Sequence, residues 1–335
     1  MRSIIRLIKF LLWSGLLLAL AGAAGLYYYA HYKLPVAQPI TLELRSGSSL
    51  KTAAAQLAAV GVLQQPELFV LMARVLGESA KIKAGNYEFT RPLTPLALLQ
   101  RITRGDVTQV AITFVEGWTF KQMRKALQEN PRIRIETATM TETELLEKLE
   151  IPQPLGEGWF FPDTYHFSAG TSDLAILRRA NQLMMRHLNR EWERRAPDLP
   201  LKSSMQALIL ASIVEKETGK PEERGLVAAV FINRLRIGML LQTDPTVIYG
   251  MGESFKGNIR KSDLTTDTPY NTYTRSGLPP TPIAMPGLDA LRATLNPAPS
   301  DALYFVARGD GTSKFSRTLA EHERAVTQYQ RQGRR

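Results

Sequence analysis

The chain has 335 residues, no cysteine and a formal net charge of +11. The lack of cysteine excludes disulfides, a thiolate nucleophile and zinc–thiolate sites. The histidines (His31, His166, His187, His322) show no metal-ligand spacing, and no phosphate-binding glycine loop or nucleophile-elbow pattern occurs. Lysines and arginines are dispersed among acids, so the positive balance reads as a generally basic surface and not as a nucleic-acid groove. No metal and no cofactor are expected.

Residues 1–9 form a basic tail carrying Arg2, Arg6 and Lys9 without an acid. Phe10–Ala30 is apolar and uncharged. A helix of that length reaches roughly 30 Å, enough to cross a bilayer core. Tyr27, Tyr28 and Tyr29 suit an interfacial aromatic belt. The basic tail stays cytoplasmic by the positive-inside rule, which places the rest of the chain outside the inner membrane as a periplasmic domain. A cleaved signal peptide is the competing reading, since Ala19-Leu20-Ala21 and Ala21-Gly22-Ala23 resemble cleavage sites. The length of the span and its tyrosines favour a retained single-pass anchor.

Leu34–Pro39 reads as a short linker and Ile40–Arg45 alternates like a strand. Ser48 or Ser49 can cap a helix that runs to Val60, with Gly61 at its end. Glu67–Leu76 reads as a second helix, Lys83–Phe89 as a turn entering a strand, and Thr94–Thr103 as a third helix ended by Gly105. This strand–helix–helix–strand order over residues 40–105 resembles a LysM-like carbohydrate-binding module.

Residues 106–330 form the larger domain, giving an α+β chain overall. Val107–Val115 reads as a strand, Phe120–Gln128 as a helix and Pro131–Pro154 as a helical connector. Leu155–Tyr165 is aromatic and Gly/Pro-rich. It suits either a sugar cleft, where aromatic faces pack on pyranose rings, or a buried corner. Ser172–Arg195 and Glu222–Ile237 read as helices, and Arg331–Arg335 as a solvated tail.

Between them lies Met205–Thr218, M-Q-A-L-I-L-A-S-I-V-E-K-E-T, apolar nearly all round and so a buried helix. Two carboxylates close it, Glu215 and Glu217. A half-buried glutamate there holds its proton near neutrality, as a general acid requires. The competing reading is that both form ion pairs with lysines or an arginine. Helical periodicity points the two acids to nearly opposite sides and prefers Glu217 only slightly. The stretches Leu241–Gly250, Thr268–Tyr273 and Gly277–Ile283 read as loops rich in amide, hydroxyl and aromatic groups, suited to binding. Asp244, before a proline, is more readily a turn former than a second catalytic carboxylate.

The motifs A-S-I-V-E-K-E-T, F-I-N-R-L-R-I-G-M-L-L-Q-T-D-P-T-V-I-Y-G, Y-N-T-Y and G-L-P-P-T-P-I-A-M-P-G together resemble the endolytic murein transglycosylase (YceG-like) family. The resemblance implies an inner-membrane lytic enzyme cutting peptidoglycan glycan strands internally, with a catalytic core of about 155–330. It implies that the second acid of E-K-E, Glu217, is catalytic. Glu215 is then expected to support the site. Gln242, Thr243, Asp244, Tyr270, Asn271 and Tyr273 are candidates for holding substrate. Place and family suggest a peptidoglycan polymerase as partner. The alternatives are a hydrolytic muramidase, with Asp244 as second carboxylate, and a non-catalytic glycan-binding scaffold.

Overall fold

The computed structural model describes residues 2–35, 39–45, 47–107 and 109–331. Parts of the expected linker at Leu34–Pro39 and of the tail at Arg331–Arg335 lie outside them. The chain divides into two compact units, Met1–Val110 with His166–Gly170, and Ala111–Tyr165 with Thr171–Arg335.

The first unit begins with helix α1 (Arg2–His31), long and apolar enough to cross a membrane. Strand β1 (Ile40–Leu44), helices α2 (Leu50–Ala59) and α3 (Pro66–Val75), strand β2 (Gly85–Phe89) and helix α4 (Pro95–Arg104) follow. β1 and β2 pair antiparallel, with Leu42 opposite Tyr87. Their alternate residues Leu42, Leu44, Tyr87 and Phe89 enter one core with Leu57, Phe69, Met72 and Leu98. Ser49 and Thr94 cap α2 and α4 through their hydroxyls, and Gly105 ends α4 in the left-handed conformation.

One expectation changes here. Only Tyr27 and Tyr28 are exposed, as an aromatic belt needs. Tyr29 and Ala30 belong to the core of this unit, and the Tyr29 hydroxyl donates to the Gln65 carbonyl at 3.0 Å. The last turn of α1 is therefore part of the folded module.

Strand β3 (Gln109–Thr113) is shorter than its β-branched run suggests. Helix α5 (Phe120–Gln128) opens with a reciprocal capping box between Thr119 and Gln122. Helix α6 (Glu142–Lys148) is the only helix within the stretch read as a helical connector; the prolines and the Thr141 cap confine it. Strand β4 (Thr164–Ser168) pairs with β3.

Helix α7 (Asp173–Glu193), capped by Ser172, leads to α8 (Ser204–Glu217), whose Ala207–Val214 are all buried. Around α8 pack α7, α9 (Pro221–Arg236) and, further along the chain, α12 (Leu288–Leu295). A helix without a polar face folds only with such a jacket. Helix α10 (Asp244–Met251) and the short α11 (Lys261–Thr265) precede α12. Strands β5 (Tyr304–Ala307) and β6 (Ser313–Ser316) pair antiparallel, and helix α13 (Leu319–Val326) follows.

The stretch from Leu241 to Gly250, read as a loop, is largely helix α10. The Asp-Pro pair that suggests a turn stands in its first turn, where proline's missing N–H needs no partner and an acid meets the positive helix end.

Candidate active site

Helix α8 ends where its carboxylates begin. Thr218 has extended backbone and stops the helix just after Glu217. The apolar body of the helix is sealed in the core, so only its last turn reaches a polar opening. Glu217 is half-buried there and lines a cleft of about 620 Å³. Gln242, Asp244 and Tyr273 line the same cleft, which is walled elsewhere by Arg234, Tyr304 and His322.

The Thr243 hydroxyl donates a hydrogen bond to Glu217 Oε1. Burial pushes the Glu217 pKa above the ordinary glutamate range. The Thr243 hydrogen bond opposes the rise, the Asp244 charge adds to it, and the Arg234 charge opposes it. The net rise favours a carboxyl that keeps its proton to higher pH than a free glutamate.

Thr243 is itself held. Its N–H donates to Thr272 Oγ1 at 3.1 Å, and its carbonyl accepts from the Thr246 hydroxyl at 2.8 Å. Gln242, one residue earlier, has φ +47°, a left-handed conformation that costs about 1–2 kcal/mol in a residue with a Cβ. Its N–H donates to the Thr272 carbonyl at 3.1 Å. These bonds fix the backbone that aims Thr243 at the acid. Asp244 accepts from the Tyr273 hydroxyl at 2.6 Å.

The remaining candidates lie elsewhere. Glu215 does not line the cleft. It accepts from the Gly287 N–H at 3.0 Å and so ties α8 to the start of α12. It pairs with a backbone amide instead of the lysines the sequence offers. Asn271 is 1% exposed, and its amide donates to the carbonyls of Asp263, Leu264 and Thr266. Its side chain holds its own loop, and it does not line the Glu217 cleft. Tyr270 donates or accepts a 2.8 Å bond with the Thr281 hydroxyl and lines a second pocket, not the Glu217 cleft. In the aromatic segment Leu155–Tyr165, Trp159, Phe160 and Phe161 are buried, so the corner reading is the one realised.

Arg234 escaped the sequence reading. It is buried, donates to the carbonyls of Leu303 (2.7 Å) and Leu241 (2.8 Å), and lies over the Tyr304 ring at 5.3 Å. A lone arginine one turn after Val230 and Phe231 on an apolar stripe was the available signal. Among the described residues no cluster of His, Cys, Asp and Glu is arranged to hold a metal ion.

Residues 42–328 match the YceG-like family. A protein of Bacillus subtilis named endolytic murein transglycosylase is 31% identical, over 87% of this chain and 84% of its own length. One of Streptococcus pneumoniae with the same name is 27% identical over 96% of this chain, which spans 64% of that relative. The crystal structure of a yceG-like protein from Listeria monocytogenes superposes with a TM-score of 0.55 at 29% identity, covering 86% of this chain and 99% of that one.

Proposed function

The chain belongs to the YceG-like family, and from that premise we propose that it is a membrane-anchored lytic transglycosylase. It cuts MurNAc–GlcNAc β-1,4 bonds within peptidoglycan strands and leaves 1,6-anhydro-MurNAc ends. The observation that carries this reading is Glu217, a carboxyl with a raised pKa at the mouth of an apolar helix, opening on a cleft.

Protonated Glu217 donates its proton to the glycosidic oxygen. The C1–O bond breaks, and positive charge develops at C1 of MurNAc, as in other glycoside cleavages. The MurNAc 6-hydroxyl attacks C1, and ionised Glu217 takes that hydroxyl's proton. One carboxyl thus returns to its starting state. The Thr243 hydroxyl donates to the carboxyl and stabilises the ionised form that follows the first transfer. The charge of Asp244, which is bonded to Tyr273, raises the Glu217 pKa and so favours its protonated form.

Asp244 also lines the cleft, which supports a hydrolytic reading with this residue activating water. Mass spectrometry of the muropeptides separates the two, because an anhydro end is lighter by one water. Glu217→Gln should lower the rate by about 10³-fold while the fold survives. Full activity in that variant would overturn the assignment.

α1 supports a retained anchor, since it runs unbroken through Ala19–Ala23 into the module core. With its basic end cytoplasmic, the rest of the chain faces the periplasm. The β1–α2–α3–β2 order and antiparallel pairing support a LysM-like, glycan-holding role for the first unit. Strands emerging at the membrane surface are then the natural substrate, and a peptidoglycan polymerase the natural neighbour.

A further inference from the structure

The second unit carries a further pocket that the cleavage mechanism does not use. Its volume is about 790 Å³, within the ~300–1,000 Å³ of small-ligand sites. Phe120, Ile248, Tyr249 and Tyr270 give it aromatic and aliphatic walls, and Glu157 and Lys216 supply polar groups. We propose that this pocket binds an N-acetylhexosamine unit of the same strand, away from the bond being cut. The proposal rests on the glycan-cutting reading and adds a second hold on that substrate.

Placement is the first argument. Lys216 lines this pocket and Glu217 the catalytic cleft; Pro245 lines this pocket and Asp244 the cleft. The end of α8 and the start of α10 are therefore a wall shared by both. The proposed strand runs over this wall, with the scissile bond at Glu217 and a further sugar in the second pocket. Cutting inside a strand requires glycan on both sides of the bond.

Chemistry is the second. Glu157 is 5% exposed. It accepts from the Phe120 N–H at 3.0 Å and is hydrogen-bonded to the Tyr249 hydroxyl. Burial, the dominant effect, pushes its pKa up to about 8, so near neutrality it is an uncharged acid. Such a group offers an O–H and a carbonyl oxygen, the complement of the sugar's secondary amide. The apolar walls take the acetyl methyl, and the Tyr249–Tyr270 pair (centroids 4.9 Å apart) offers ring surface to a pyranose face. A stem peptide, rich in carboxylates, fits worse. Glu142 and Glu253 also line the pocket, and the Lys121 charge is already matched by Glu253.

The test uses the full chain in detergent on a Glu217→Gln background, with hexameric N-acetylglucosamine as probe in calorimetry. Binding is then read without cleavage, so its outcome is independent of which bond the enzyme breaks. Ile248→Trp fills the pocket, and affinity should fall about tenfold. The exposed Lys121→Trp narrows the mouth and should act in the same direction, which keeps the test valid if the Ile248 change harms folding. The de-N-acetylated hexamer should bind more weakly than the acetylated one and should respond less to either substitution. A folded pocket-filled variant that binds the acetylated hexamer as before overturns the proposal. Equal response of the two hexamers overturns the acetamido assignment.

Discussion

Thr243 donates its hydroxyl hydrogen to Glu217 although the two stand on separate elements, one just before α10 and one at the end of α8. This bond stabilises the ionised carboxylate and lowers a pKa that burial raises. Removing the hydroxyl with Thr243→Val should therefore raise the Glu217 pKa further. The alkaline limb of kcat/KM, where the general acid is lost, should move to higher pH. A pH–rate profile on isolated strands measures it; an unmoved limb would show that the bond does not tune the acid.

Asp244 acts with the opposite sign. Its charge raises the Glu217 pKa, so Asp244→Asn should lower it and bring the alkaline limb down. The variant also separates the two chemistries. A lytic reaction should survive with anhydro products, at a rate reduced by less than about 10²-fold. A hydrolase that uses Asp244 as base should lose activity far more deeply.

Glu157 predicts a stability that depends on pH. Its folded pKa is raised to about 8 from an ordinary 4.5. Between those values the folded state holds a proton that the unfolded state has released, so this group's contribution to stability falls as pH rises. Glu157→Gln removes the titration. Relative to the parent, the variant should gain stability from pH 5 to pH 8, by on the order of a few kcal/mol, and no further above that window. Thermal melts at both values give the difference, and a constant offset would refute it.

Some of this was legible in the chain. Helix α5 was delimited by Thr119 and by the apolar residues Phe120, Met123 and Leu127 one turn apart. The edges of α7 followed from Ser172, a local signal of the same kind. Helix α10 was missed because Asp-Pro is ambiguous between a turn and a helix start, and neighbours distant in sequence decide. The Thr243 bond and the Tyr273–Asp244 bond each join residues more than two dozen positions apart, which no periodicity encodes. Glu157 stands between two glycines, a local setting that carries no signal of burial. Its burial comes from α5 and α10 folding over it.

Asn271 separates a structural role from a substrate role. Three backbone carbonyls depend on its buried amide, and its own oxygen accepts from the Tyr273 N–H at 2.9 Å. Asn271→Ala should cost about 1–2 kcal/mol, because the loop loses the amide that ties its carbonyls together. Tyr273 would lose its placement, and the Asp244 bond with it. The expected signature is a lower melting temperature and a lower kcat, with KM for strands changed less than kcat. A rise in KM at unchanged stability would instead return Asn271 to the substrate-binding set.

Gly287 ties Glu215, on the last turn of α8, to the start of α12. Its N–H donates to Glu215, and a Cβ built there would overlap the Glu116 carboxylate. Its φ of −76° is open to any residue, so the restriction is steric and comes from a side chain. Gly287→Ala should swing the exposed, flexible Glu116 carboxylate aside and shift the amide that holds Glu215, destabilising by less than about 1 kcal/mol. Truncating the obstacle should undo this, so Glu116→Ala with Gly287→Ala should recover most of the loss. Activity should follow stability in both variants, because Glu215 reaches Gly287 and not the cleft. If the double variant stays as unstable as the single one, the overlap with Glu116 is not the cause. If Glu215→Gln removes turnover at full stability, Glu215 acts on the substrate and the assignment of the acid to Glu217 alone must be given up.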